Sequence, residues 1–214
     1  MEASKSDLVI VGAGGHALEI IWLARTLGRT VRGVLDDACE KKSVDEVPLL
    51  GNITACEDHS DCEFVVAVGD PRIRKKLIGE IEARIAKPMY ASLIHPSVTL
   101  SDSYSVGSGT VIAAGSTISV HVKIGDHCIV NLNSSLSHEV IVGDYCTIAP
   151  NVALAGRVHL EDLVEVGLGA GVKQGTVLRR GSLLGMGGVL LSDLPENNIY
   201  VGVPANFLRV IEVV

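Results

Sequence analysis

The chain has 214 residues, 47% of them apolar but only 3% aromatic, and a formal net charge of −7. That is length for one large domain or two small ones, with a core built from Val, Ile, Leu and Ala rather than from rings. The acidic balance argues against nucleic acid as the main ligand, because phosphate binding wants a basic field.

Residues 7–90 alternate strand and helix. DLVIVG (7–12) reads as a short apolar strand, followed by GAGGHA and then by LEIIWLARTLG, whose apolar residues have helical spacing and which Gly28 can stop. VRGVLDD (31–37) reads as a second strand ending in two aspartates. EFVVAVGD (63–70) is a third, and PRIRKKLIGEIEARI (71–85) is a helix with Pro71 in its first turn. Strand, helix and strand at this spacing imply a small parallel sheet. Gly12, Gly14 and Ala17 fit the G-x-G-x-x-G/A fingerprint of a nucleotide loop, with Asp36 and Asp37 ending the next strand. The segment spans only about half of a full dinucleotide fold, which suits one mononucleotide. Arg72, Arg74, Lys75 and Lys76 read as the solvated face of the second helix.

After residue 95 the period becomes six. Stepping by six from Leu100 to Leu190 meets sixteen residues, and every one is Leu, Ile or Val. Four residues after the aliphatic the side chain is usually small or β-branched, as at Thr110, Ser116, Cys128, Ser134, Cys146 and Val152. Glycine often follows the aliphatic directly, as at Gly107, Gly125, Gly143, Gly167 and Gly185. The reading is a parallel β-helix of about five triangular coils, three hexads to a coil. Aliphatic and small residues face inward, and the glycines serve corners where backbone geometry is demanding.

The five cysteines are odd in number and include no C-x-x-C pair. They read as reduced, mostly buried thiols of a cytoplasmic protein. The start, MEASKSD, lacks a basic segment followed by an apolar run, so no secretory leader is expected. No run of about 18 apolar residues is present to span a bilayer.

The hexads, together with VGAGGHA (11–17), LDD (35–37), AVGDPRIRKKL (67–77), LIHPS (93–97), NSSLSHEVIVGD (133–144) and YVGVPA (200–205), resemble the bacterial sugar acetyltransferases of the sialic-acid and bacillosamine pathways. The resemblance runs nearly end to end and in the family's order. It implies a Rossmann-like nucleotide-sugar-binding domain over residues 1–92. A left-handed β-helix acetyltransferase domain with a C-terminal closing segment then covers 93–214. It also implies acetyl-CoA as co-substrate, a nucleotide-linked amino sugar as acceptor, and a homotrimer with active sites between subunits, serving glycan biosynthesis. Neither metal, membrane nor nucleic acid is expected. O-acetylation of a sugar such as sialic acid is the alternative within the family.

Acetyl transfer to an amine needs a base, and a histidine, with an unperturbed pKa near 6.5, suits that work. By the resemblance His138 is the base and Glu139 the carboxylate that supports it. Neighbours on a strand point to opposite faces, so the pair works only if a corner brings Glu139 to His138. Gly14, Gly15, His16, Asp36, Asp37 and Gly69 are the expected contacts to the nucleotide. Gly156, one coil beyond His138, is a candidate to donate its N–H to the thioester oxygen. Thr147 stands where the family often has a second histidine, and Leu168 and Met186 are expected to line the CoA channel. Two other readings compete. One is a metal enzyme of the γ-carbonic anhydrase kind, for which His121, His127, His138 and His159 are the available ligands. The other is a non-catalytic trimerisation scaffold.

Overall fold

The computed structural model describes residues 6–212. Residues 1–5, part of the start read as leaderless, lie outside them. Among the described residues no helix is long and apolar enough to cross a membrane. The chain forms two compact units, the first ending at Leu93 and the second beginning at Ile94.

The first unit is α/β. Its elements are β1 (Leu8–Val11), α1 (Gly15–Thr26), β2 (Val31–Leu35), β3 (Ser43–Val44), β4 (Val47–Gly51), a short 3-10 helix (Ile53–His59), β5 (Glu63–Val66), α2 (Pro71–Glu82) and β6 (Met89–Tyr90). The sheet order is β3-β4-β2-β1-β5-β6, and β1 pairs in parallel with both β2 and β5. All four residues of β1 are buried, as expected of a central parallel strand covered on both faces. The chain leaves β1 toward β2 on one side and returns through β5 on the other. The carboxyl ends of β1 and β5 therefore flank the crevice where open α/β sheets bind ligands.

The second unit is the parallel β-helix of hexapeptide type. Strands eighteen residues apart pair in register, one coil on the next. The first face carries Val111–Ile112, Ile129–Val130, Thr147–Ile148, Glu165–Val166 and Leu183–Leu184. The second carries Thr99–Leu100 through Val189–Leu190, and the third Tyr104–Val106 through Val177–Leu178. From Ile112 onward every aliphatic of the hexad series is buried. The small residues fill the rest of the interior and satisfy the backbone there. Ser134 Oγ donates to Ala149 O at 2.9 Å, and the Cys128 thiol donates to Gly143 O at 3.0 Å. All five cysteines are free thiols, and four of them are buried.

The structure corrects the reading of the corner glycines. The left-handed positions fall every six residues at 109, 115, 121 and onward to 187, and eight of them hold a residue other than glycine. Gly107, Gly125 and Gly143 are not among them. A Cβ at each would strike the aspartate or main chain of the next coil, at Asp126, Asp144 and Asp162 respectively. These glycines serve close approach between coils, which needs no special φ. After the last coils, Asn198–Val201 and Asn206–Val210 form an antiparallel hairpin that extends the first face, with VGVPA in its turn.

Candidate active site

His138 and Glu139 form the corner between the second and third faces. Glu139 has φ of +61°, in the left-handed region. That twist breaks the strand alternation and swings its carboxylate back to its neighbour, so that Oε2 lies 3.0 Å from His138 Nδ1. The imidazole and carboxylate are 45% and 52% exposed, open to a ligand yet joined to each other. Among the described residues Nε2 has no hydrogen-bond partner. The next coil supplies Gly156 directly beneath the ring. A Cβ there would overlap Nε2 and Cε1. The absence of a side chain on this buried glycine leaves room for the imidazole.

From this edge a shallow groove of about 390 Å³ runs across the second face, floored by Ser135, Ala153 and Gly171 and rimmed by Ser137, Ala155 and Lys173. Small outward residues make it shallow and smooth. On its far side is the edge between the first and second faces. There Leu168 and Met186 stand one coil apart, with Gly187 N–H donating to Leu168 O at 2.8 Å. Both are exposed, Met186 at 76%. One chain thus joins Gly156 to His138 and Leu168 to Met186, on opposite rims of one face. Thr147 is not brought to either group within one chain: it lies in a strand of the first face and is only 8% exposed.

In the first unit the expected loop forms at the carboxyl end of β1. Gly12 has φ of +104°, and a Cβ there would press on Val68 and the Ala67 carbonyl, so only glycine fits. Helix α1 begins at Gly15 with Gly14 as its N-cap, no side-chain cap and no acid in the first turn. Helix α2 is the contrast, because the Asp70 side chain accepts from the Arg72 and Ile73 N–H groups. A helix start left without a capping side chain, beside Gly14 and Gly15 whose Cα atoms face open space, suits an anionic group. His16 Nδ1 is 2.9 Å from Glu19 Oε2, and this hydrogen bond holds the Glu19 carboxyl below its ordinary value. Among the described residues His16 Nε2 is buried without a hydrogen-bond partner.

The fold engages the two acids differently. Both Asp36 oxygens are taken by the fold, accepting from Ala13 N–H at 2.7 Å and Ala38 N–H at 2.8 Å. Asp36 therefore braces the loop across from β1. Asp37 Oδ1 accepts from Ile53 N–H at 2.8 Å, and the residue is exposed. Gly69 lies in the loop after β5, and its carbonyl is held by a residue that sequence reasoning misplaced. Arg74 is 1% exposed, and its Nη1 donates to Val68 O at 2.7 Å and Gly69 O at 3.0 Å. It is a buried brace of the crevice, where the run of basic residues reads as solvated.

Among the described residues no cluster of three or more metal-ligating side chains is found. His127 stacks on Tyr145 at a different edge from His138, with centroids 5.4 Å apart. His159 lies in the third face, in register with Ile141.

A bipartite chain with a nucleotide-type loop in one unit and a His-Glu corner on a hexapeptide β-helix in the other defines a hexapeptide-repeat acyltransferase. Comparison with known proteins narrows the class. Residues 7–81 match the PglD N-terminal domain, and residues 121–155 match the hexapeptide repeat of succinyl-transferase. The solved structure of PerB from Caulobacter crescentus, in complex with CoA and GDP-perosamine, is 32% identical. That match covers 95% of this chain and 97% of that one, with a TM-score of 0.88. The acetyltransferase domain of PglB from Neisseria gonorrhoeae is 29% identical, over 95% and 100% of the two chains, with a TM-score of 0.89. UDP-N-acetylbacillosamine N-acetyltransferase of Bacillus subtilis is 33% identical over 113 residues, 50% of this chain. That match spans about half of the curated relative's length, 51%. The chain belongs to the family of sugar N-acetyltransferases that join a PglD-type N-terminal domain to hexapeptide repeats.

Proposed function

We propose that this chain transfers the acetyl group of acetyl-CoA to the amino group of a nucleotide-linked amino sugar, with a UDP-4-amino-4,6-dideoxy sugar as the first acceptor to try. The observation that carries the reading is the His138–Glu139 corner. There an imidazole has Nδ1 joined to a carboxylate and Nε2 open, at the rim of a groove, in a chain of this family.

With Nδ1–H donated to Glu139, the neutral ring carries its lone pair on Nε2, the form a general base needs. The sugar nitrogen attacks the thioester carbonyl carbon, and Nε2 takes the nitrogen's proton as the C–N bond forms. The tetrahedral intermediate then collapses and the C–S bond breaks. The imidazolium returns its proton to the departing thiolate, leaving amide and free CoA. Glu139 keeps its charge throughout, fixing the tautomer and facing the imidazolium when it forms.

The start of α1, with Gly14, Gly15 and His16, takes the diphosphate, and Gly69 lies on the other side of the crevice. Asp37 keeps one oxygen for a ribose hydroxyl or a base N–H, while Asp36 acts by holding the loop. Leu168 and Met186 flank the arm of CoA. Thr147, buried in the first face, is left out of this assignment. The working unit is a homotrimer in the cytoplasm. Within one chain the His138 edge and the Leu168–Met186 edge are different edges of the prism, and a neighbouring copy brings one against the other.

The test is release of free thiol from acetyl-CoA against a panel of UDP-, GDP- and dTDP-4-amino sugars with free sialic acid included, and His138→Ala run beside the wild type. Turnover on one amino sugar nucleotide, lost in the variant, supports the reading and names the acceptor. Turnover on sialic acid alone replaces it with O-acetylation. Full activity in His138→Ala removes the general base.

A further inference from the structure

The edge that carries His138 is a row of left-handed corners one coil apart. The corner residues are His121, Glu139, Arg157 and Gly175, with φ of 59°, 61°, 59° and 73°. Corners of equal twist in register send their side chains off the edge in the same direction, so Glu139 and Arg157 emerge side by side. Arg157 is tied to the pair through the main chain as well, its N–H donating to His138 O at 2.9 Å. Its Nη1 lies 3.9 Å from Glu139 Oε2, the same oxygen that pairs with His138 Nδ1. Among the described residues those two are the carboxylate's partners. A residue with a Cβ is unfavourable in this conformation, and the next corner, Gly175, does without one.

A half-exposed glutamate samples several rotamers, and only some of them present Oε2 to Nδ1. We propose that Arg157 is a positioning residue: it holds the Glu139 carboxylate turned toward Nδ1 and so keeps His138 in the Nδ1–H tautomer with Nε2 open. The inference rests on the reading of His138 as the base. Arg157 touches neither reacting atom; its effect passes through Glu139.

Two readouts decide it. The first is ¹⁵N NMR of His138 at alkaline pH, in the wild type, Arg157→Met, Glu139→Gln and the double variant, with His138→Gln to assign the signal. The second is kcat and both KM values for the same set, with Arg157→Lys added. The expected result is the Nδ1–H tautomer in the wild type and a mixture in Arg157→Met. In that variant kcat falls about two- to fivefold, the range an exposed ion pair supplies, with both KM values unchanged. In the Glu139→Gln background the Arg157 change has no further effect, and Arg157→Lys recovers part of the loss. An unaltered tautomer in Arg157→Met overturns the proposal. So do effects that multiply in the double variant, and so does a change confined to KM, which would make Arg157 a ligand contact. The NMR arm needs no turnover. A wild type inactive on every acceptor would therefore sink the acetyltransferase reading while the tautomer still decides the role of Arg157.

Discussion

The imidazole of His138 occupies the space that a side chain on Gly156 would fill: a Cβ there would overlap Nε2 and Cε1 and stand 3.0 Å from Cδ2. The nitrogen assigned as base is thus placed by the absence of a side chain one coil away. Gly156 does not have a positive φ, so alanine is sterically acceptable to the backbone, and the displaced atoms belong to a ring that can turn aside. Gly156→Ala should therefore fold normally, with Tm within about 2 °C of the wild type. Its kcat should fall about 10- to 100-fold, since a shift of roughly 1 Å in a reacting group costs on the order of 10²-fold. Steady-state kinetics beside thermal melts check this, and a variant with wild-type kcat would show that the ring position is not set by this glycine.

The two kinds of corner glycine make a paired prediction. At Gly125 a Cβ would meet the Gly143 carbonyl carbon at 2.9 Å and Asp144 N at 3.0 Å, main-chain atoms of the next coil that cannot turn away. Gly125→Ala should destabilise by about 1–3 kcal/mol through overpacking. Gly175 has φ of +73° but open space around it, and Asn133 and Asn151 already hold the same backbone conformation elsewhere in the series. Gly175→Asn should cost under about 1 kcal/mol. Urea denaturation of both variants gives the comparison, and the reverse order of stability would refute the assignment.

These glycines mark the limit of what the amino-acid order makes legible. A six-residue aliphatic period and the small residue four places later report inward-facing positions, and the interior is built from them. The αL corners carry no such signal, because His121, Glu139, Tyr145, Arg157 and Leu163 all adopt that conformation. What brings Glu139 to His138 is a backbone angle, so the residue types pointed to the pair while its geometry waited for the coil. The two-residue strand β3 is too short to show a period, and the 3-10 helix lacks one of its own. Arg74 is a case of tertiary override: PRIRKK has the composition of a solvated face, and only the fold reveals carbonyls waiting beneath one of its cations.

That arginine carries the third prediction. Arg74→Met keeps much of the apolar stem but removes a charged donor from the carbonyls of Val68 and Gly69. Hydrogen bonds to charged groups contribute about 1.5–3 kcal/mol, and Arg74 donates two of them. The variant should lose about 2–4 kcal/mol in urea denaturation and, because the loop after β5 loosens, show a raised KM for the nucleotide sugar with KM for acetyl-CoA unchanged. Equal rises in both KM values would mean general loosening rather than a local brace.

The last prediction concerns acid. Glu161 Oε1 accepts from Arg179 Nη1 at 2.9 Å and Oε2 from Arg180 N–H at 2.9 Å. The Arg179 hydrogen bond first, and the Arg180 N–H next, hold the Glu161 carboxyl below its ordinary value of 4.5. A carboxyl whose folded value is depressed stabilises the fold above the unfolded value, and that contribution is lost as pH falls through the folded one. Glu161→Gln should therefore melt slightly below the wild type at neutral pH, by about 1–3 °C for so exposed a pair. The gap should hold constant down to about pH 5 and then close as acid protonates Glu161 in the wild type as well. Thermal melts of both proteins from pH 7 to pH 3 test it. A gap that widens on acidification would reverse the sign of the linkage, and one that persists unchanged to pH 3 would mean that the charge on Glu161 contributes nothing.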